Sequence, residues 1–323
     1  MTKYIIVYIT YIMTSASPSL SNGAENYRAK ELLVRDSKTN LFISTSPEDY
    51  EALKAPPDFA VRWSKEALRH DPATNILSAG LNSSDGCPIW KNHFCGRYCF
   101  AWNAGHQGNI PYLKLDEKYL RDMATLKEKG ANVGIFYSYD TEPLAGQEII
   151  AITKTVLRAI IKSPPSAFLL HTRTAHATNP DLRALLRDVG QATNLIVWVA
   201  IETDFENLGH FKHYHSVAAR LESMRLMAQD CIVVQWTTTP MMGYKDYPWL
   251  IKRFAEIWVN RIMLGEVKYD LSDWGADVAR ELGDLWLHIP SEEEALKICA
   301  EHKFPGWAQT RERYYVSMWT SQN

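Results

Sequence analysis

Six short apolar runs, separated by longer stretches of helical period between Asn75 and Asp270, constrain this chain more than any other feature. The runs are NILSAGLN, NVGIFYSY, AFLLHT, LIVWVAIET, CIVVQWTTT and NRIMLGEV, each dense in Val, Ile, Leu and aromatic residues. A strand with one wet face alternates apolar and polar side chains, so continuous apolar runs specify strands covered on both faces, as in a parallel sheet. Between them, LDEKYLRDMATLKEKG, AGQEIIAITKTVLRAIIK, NPDLRALLRDVGQ, HSVAARLESMRLMAQ and YPWLIKRFAEIW read as amphipathic helices, the first ending on a Gly suited to a helix stop. Strand and helix alternating in this way predict an α/β domain, most simply a full or partial barrel.

The flanks are harder to read. Residues 1–74 form an N-terminal extension with a Pro-rich spot, KAPPDFAVRW, and no motif. Residues 271–323 hold an acidic helix candidate, SEEEALKICAEHK, and an aromatic end, RERYYVSMW, and are expected to cap the barrel. The opening MTKYIIVYITYIM, followed by TSASPSLSNGAEN, has the outline of a signal peptide, but its apolar run is too short to span a bilayer. An export signal, a disordered extension and a start at Met13 all fit it. No other segment reads as transmembrane, and the expectation is a cytoplasmic protein with no membrane partner. With 35 basic and 37 acidic residues the net charge is −2, so no global field draws the chain onto nucleic acid or anionic membrane. A local basic groove remains compatible with that balance.

Three of the five cysteines, Cys87, Cys95 and Cys99, fall in GCPIWKNHFCGRYCFAW, in the loop after the first strand. The odd total and the clustering argue against a secreted disulfide framework and for a reducing compartment. In barrels of this kind chemistry gathers in the loops beyond the C-terminal ends of the strands. Three thiolates suit a soft metal centre, zinc or iron–sulfur, and are one ligand short of a closed site. The fourth place is then filled by a distant residue or left open for chemistry. Two other readings stand beside this one: ordinary buried cysteines with an unrelated thiol, and a structural zinc site made by Cys87, His93, Cys95 and Cys99.

A strand, a three-cysteine loop whose last Cys is followed by Phe100, and five more βα units resemble the radical SAM enzymes. FYSYDTEPLAGQE, LLHTRTAHATNPDLRALL, VWVAIETDFENL, RLESMRLM and VQWTTTPMM, in that order, resemble its spore photoproduct lyase and DNA repair photolyase-like branch, over roughly Asn75 to Glu266. The resemblance implies a partial (β/α)6 barrel in which three cysteines hold a [4Fe–4S] cluster and S-adenosylmethionine chelates the remaining iron. It implies reductive cleavage to a 5′-deoxyadenosyl radical that abstracts hydrogen from a substrate, small molecule or nucleic acid. An external one-electron donor such as flavodoxin or ferredoxin is implied as well.

Residue by residue, the resemblance makes Cys87, Cys95 and Cys99 the cluster ligands and sets Phe100 near the adenine. Ser138, Asp140, Thr141 and Glu142 of SYDTEP stand where the family meets the methionine amino group, although Asp or Thr there also suits a helix N-cap. Arg173 of HTRTAH stands where the lyase has a lysine, placed to hold the carboxylate of S-adenosylmethionine, with an ordinary surface arginine as the alternative. Glu202 and Thr203 of AIETD fall at the ribose position, and Arg220 matches an arginine of the branch or makes a helix-surface ion pair.

The cysteine spacing departs from the family: seven residues and then three separate them, where three and then two are usual. Ser138 and Tyr139 stand where the lyase carries a hydrogen-donating cysteine, and neither Cys231 nor Cys299 replaces it, so thymine-dimer repair is not implied. A barrel that binds zinc, a nucleotide or nucleic acid without radical chemistry is therefore the alternative function. Tyr137 and Tyr139 are read as redox-active or as core, and Trp198 and Trp236 mainly as packing. His210, His213 and His215 of HFKHYH form a weak metal candidate, lacking a helical His pair.

Overall fold

The computed structural model describes residues 32–35, 42–45, 62–63, 76–87, 89, 109–128, 132–138, 141–204, 207–208, 211–212, 215–238, 244–259, 261–264, 291–301 and 307–310. Strands β1 (Leu32–Arg35) and β2 (Phe42–Thr45) form an antiparallel ribbon, and β3 (Arg62–Trp63) pairs antiparallel with β4 (Ile76–Leu81). Next, β5 (Ser84–Gly86) and β6 (Asn109–Pro111) form a small antiparallel pair on either side of the cysteine loop. From there strand and helix alternate: α1 (Leu115–Glu128), β7 (Asn132–Tyr137), α2 (Gln147–Lys162), β8 (Ala167–Thr172), α3 (Pro180–Ala192) and β9 (Asn194–Ala200). A two-residue hairpin, β10 (Asn207–Leu208) with β11 (Phe211–Lys212), precedes α4 (Val217–Gln229) and β12 (Val234–Thr238). The rest is α5 (Tyr247–Glu256), β13 (Arg261–Leu264), α6 (Glu292–Glu301) and β14 (Trp307–Thr310).

The main sheet runs β14, β13, β12, β9, β8, β7, β4, β3, every neighbouring pair parallel except β3 with β4. Among the described residues its first and last strands do not pair, so the sheet is an open, partial barrel. The six apolar runs are β4, β7, β8, β9, β12 and β13. The C-terminal segment adds β14 as a further parallel strand, which WAQT, short and half polar, does not announce.

Both faces of the sheet are covered, as the unbroken apolar runs require. Ala79, Leu81, Val133, Ile135, Tyr137, Phe168, Leu170, Val197, Val199, Val234, Trp236 and Ile262 pack with α1 to α5 in one core. Phe136, Leu169, Ile196 and Trp198, alternating with these, are buried on the other face. There Trp198 meets Phe136 and His171 edge-on, at 6.1 Å and 6.0 Å between ring centroids. On the helix side Trp236 stacks on Phe254 at 4.3 Å, and truncating either ring would cost about 3–5 kcal/mol.

Helix starts follow local chemistry. Asn179 Oδ1 accepts from the Asp181 and Leu182 amides ahead of Pro180, Ser216 Oγ from Ala219, and Asp246 Oδ1 from Trp249 ahead of Pro248. Helix α2 begins at Gln147 with Gly146 as its N-cap, at φ 80°, a backbone conformation that any side chain would strain. The N-cap reading of Asp140 or Thr141 is thereby replaced.

Candidate functional site

The C-terminal ends of β4, β7, β8 and β9 lie side by side, so the loops that follow them share one edge of the sheet. The loops after β4 and β7 meet first. Ser138, at the end of β7, turns at φ 61° and donates its amide to the Leu81 carbonyl at 2.7 Å. A non-glycine residue held there costs about 1 kcal/mol, which the hydrogen bond to the neighbouring strand offsets. Its hydroxyl lies 3.4 Å from Ser83 Oγ, which is 3.5 Å from Thr141 Oγ1. Three hydroxyls thus gather where the two loops touch, four residues before Cys87.

Cys87 follows β5 directly, after Gly86 at φ 81°, and is a half-buried thiol. Cys95, Cys99, Phe100, Asp140, Tyr139, His93, His210 and His213 lie outside the described residues. Among the described residues no group of three His, Cys, Asp or Glu side chains could hold a metal ion.

Glu142 is buried and braces the next loop. Its Oε1 accepts from Thr172 Oγ1 at 2.6 Å and from the Leu144 amide at 3.1 Å, and its Oε2 from the Arg173 amide at 2.7 Å. Burial raises its pKa above the usual carboxylate range, an effect that these hydrogen bonds and the Arg173 charge oppose. Thr172 Oγ1 in turn accepts from the Thr174 amide at 3.0 Å and lies 3.0 Å from Thr174 Oγ1. The pair of threonines on either side of Arg173 fixes the loop around it.

Arg173 reaches sideways to β9. Its Nε donates to Glu202 Oε1 at 2.6 Å, while Arg220 Nη1, from α4, donates to Glu202 Oε2 at 3.1 Å and to the Ala200 carbonyl. The Glu202 and Arg220 side chains are fully buried, and that of Arg173 is 20% exposed. Arg220 is therefore not a helix-surface residue, and Arg173 is anchored rather than free on the surface. Two guanidiniums share the Glu202 carboxylate, and the least buried member of the cluster is Arg173. Thr203, beside Glu202, is buried too.

Strand β9 stops at Ala200, before the expected Thr203. The Ile201 carbonyl accepts from Trp236 Nε1 and Tyr244 Oη, each at 3.0 Å, and the chain then turns Glu202 to the two arginines. Asp204 continues the turn, accepting from the Lys245 and Asp246 amides at 2.7 Å and 3.0 Å.

The remaining sequence candidates fall into the scaffold. Tyr137 is core, its hydroxyl 3.0 Å from Thr153 Oγ1, and burial raises its pKa. Cys299 is buried on α6 against Tyr247, its thiol pushed up to about 11, and Cys231 is exposed after α4. His215 lies just ahead of the α4 N-cap, its Nδ1 accepting from the Ala175 amide at 3.1 Å and its ring edge-on to His176 at 4.7 Å. Sequence reasoning missed Ser83, Thr172, Thr174 and His176. Only the two threonines left a trace, in their alternation around Arg173 in HTRTAH.

No protein-family profile matches this chain, and no curated protein does. Solved structures do. A doubly substituted spore photoproduct lyase with bound AdoMet and dinucleoside spore photoproduct matches with a TM-score of 0.51 at 13% identity, over 72% of this chain and 75% of that one. Spore photoproduct lyase complexed with dinucleoside spore photoproduct matches at 0.50 and 14%, over 70% and 74%. Streptococcus suis SuiB bound to S-adenosylmethionine matches at 0.50 and 14%, over 73% of this chain and 52% of SuiB. Both proteins are radical SAM enzymes. The chain has the fold of the radical SAM enzymes. It spans about half the length of SuiB and three quarters of that of the lyase, and at this identity the likeness is one of fold. The partial barrel expected from the sequence is borne out. No helix among the described residues is long and apolar enough to cross a membrane.

Proposed function

We propose that this chain is a radical S-adenosylmethionine enzyme. The observation that carries the reading is the Arg173, Glu202, Arg220 cluster at the C-terminal edge of the parallel sheet. The Arg173 guanidinium, partly open to solvent and held by Glu202 through its side chain and by Glu142 through its backbone, suits an anionic ligand group, and S-adenosylmethionine brings a carboxylate. Cys87, in the loop after the first strand of the barrel, fits the same assignment with Cys95 and Cys99 as thiolate ligands to iron. When bound, a [4Fe–4S] cluster with S-adenosylmethionine supplies the 5′-deoxyadenosyl radical that removes hydrogen from a substrate.

The chain's own residues bind and orient. Arg173 takes the ligand carboxylate, with Glu202 and Arg220 holding its guanidinium in place. Ser138, Thr141 and Asp140 meet the ammonium, and Glu142, with three hydrogen bonds already accepted, acts mainly as the brace that fixes Arg173 from behind. Thr203 is assigned to the ribose and Phe100 to the adenine. Reduction is assigned to an external one-electron donor of the flavodoxin or ferredoxin kind.

The test is anaerobic reconstitution with iron and sulfide, reduction, and assay for 5′-deoxyadenosine. Wild-type protein forms it, Cys87→Ala does not, and Arg173→Ala requires about tenfold more S-adenosylmethionine, the loss expected from one charge-assisted contact. A reconstituted, cluster-loaded wild type that forms none would overturn the reading.

A further inference from the structure

The Arg173 loop is held from two sides, and only one holder belongs to the residues assigned above. From the β7 side, Glu142 Oε2 accepts the Arg173 amide at 2.7 Å. From the β9 side, His215 Nδ1 accepts the Ala175 amide at 3.1 Å, two residues further on. Between these anchors the Arg173 side chain leaves for Glu202. Beyond them the chain enters the turn His176–Thr178, whose first ring lies edge-on to His215. His215 itself is fixed from below, because Ser216 caps α4 and that helix carries Arg220, the second guanidinium on Glu202.

We propose that His215 is a positioning residue for Arg173: its unprotonated Nδ1 clamps the Ala175 amide and so holds the Arg173 guanidinium where an anionic ligand group must find it. The inference rests on the proposed function for the identity of that ligand, but the clamp itself is independent of it. An Nδ1 that accepts an amide hydrogen carries no proton, so the neutral ring has its hydrogen on Nε2. The surroundings keep it so. Burial, the neighbouring His176 and the Arg220 charge together push the His215 pKa down to about 4, and burial lowers that of His176 as well. Among the described residues, His176 and Arg220 are the charged or titratable groups acting on the ring, and neither is a carboxylate.

Three substitutions separate the clamp from mere bulk. In His215→Asn the side-chain oxygen occupies the place of Nδ1 and can accept the same amide; in His215→Gln the polar group sits one bond too far; His215→Ala removes it. Two measurements are made: hydrogen exchange at the Ala175 amide in the ligand-free protein, and the dissociation constant of S-adenosylmethionine with the cluster-loaded protein. Exchange at Ala175 accelerates about tenfold or more in the Ala and Gln variants and by less than about threefold in Asn, and affinity follows the same order, as partners of a ligand-binding group do. Unchanged exchange and affinity in His215→Ala overturns the proposal, as does an Asn variant as impaired as Ala. A wild type that binds no S-adenosylmethionine overturns the proposed function instead. The exchange pattern then still decides whether His215 clamps Ala175.

Discussion

Glu142 and Glu202 are two buried carboxylates in the loops after β7 and β9, on either side of the β8 loop, and both hold Arg173, yet they do different work. Glu142 takes the Arg173 backbone and faces neutral donors, a threonine hydroxyl and two amides. Glu202 takes the Arg173 side chain and faces two guanidiniums. The first fixes where the loop runs; the second fixes where a positive charge sits. Identical side chains at similar depth acquire these roles from what the adjoining strand ends present to them, threonine from β8 in one case and arginine from α4 in the other.

The difference predicts unequal costs. Glu202→Gln removes the charge that compensates a fully buried Arg220 and should destabilise the protein by about 3–5 kcal/mol in urea denaturation. A loss below about 1 kcal/mol would mean that Glu202 is not the counter-charge described here. Glu142→Gln keeps an acceptor for Thr172 but sets an amide NH2 against the Arg173 amide, and should cost about 1–3 kcal/mol. Equal losses in the two variants would erase the comparison.

A third, smaller effect appears on acidification. The His215 pKa is depressed in the folded state, so the unfolded chain takes up its proton first, near 6.5, and the folded chain only near 4. Stability therefore falls as pH drops through that window. His215→Asn, which does not titrate, should gain stability relative to wild type between pH 6.5 and 4 and show no relative change above pH 7. Thermal unfolding across that range checks the sign, and a wild type that gains on the variant at low pH would refute it.

The smallest effect has the opposite direction. Gln235, on β12, is buried, and among the described residues neither atom of its side-chain amide has a hydrogen-bond partner. Replacing it by Leu should be neutral or stabilising by up to about 1 kcal/mol. A clear loss would reveal a partner for the amide.

The barrel was legible because buried parallel strands write themselves as unbroken apolar runs, and AFLLHT became β8 at its expected bounds. Strand ends were less so. LIVWVAIET promised a strand to Thr203, but the Ile201 carbonyl is claimed by Trp236 and Tyr244, residues from a strand and a loop over thirty positions away. The site was legible as positions and not as connections. Arg173, Glu202 and Arg220 each stand out singly in the sequence, and no local pattern says that one carboxylate joins them across 29 and 18 residues. His215 was visible only as one of three histidines, since its acceptor role depends on an amide forty residues earlier.

In the proposed enzyme the loop after the first strand holds iron and leaves one site open to S-adenosylmethionine, beside the Arg173 cluster. The most direct measurement is the electron paramagnetic resonance spectrum of anaerobically reconstituted, reduced protein, recorded with and without S-adenosylmethionine. The account predicts a [4Fe–4S]⁺ signal that shifts when the ligand is added and is lost in Cys95→Ala. A protein that takes up zinc alone, or a cluster signal indifferent to S-adenosylmethionine, would contradict it.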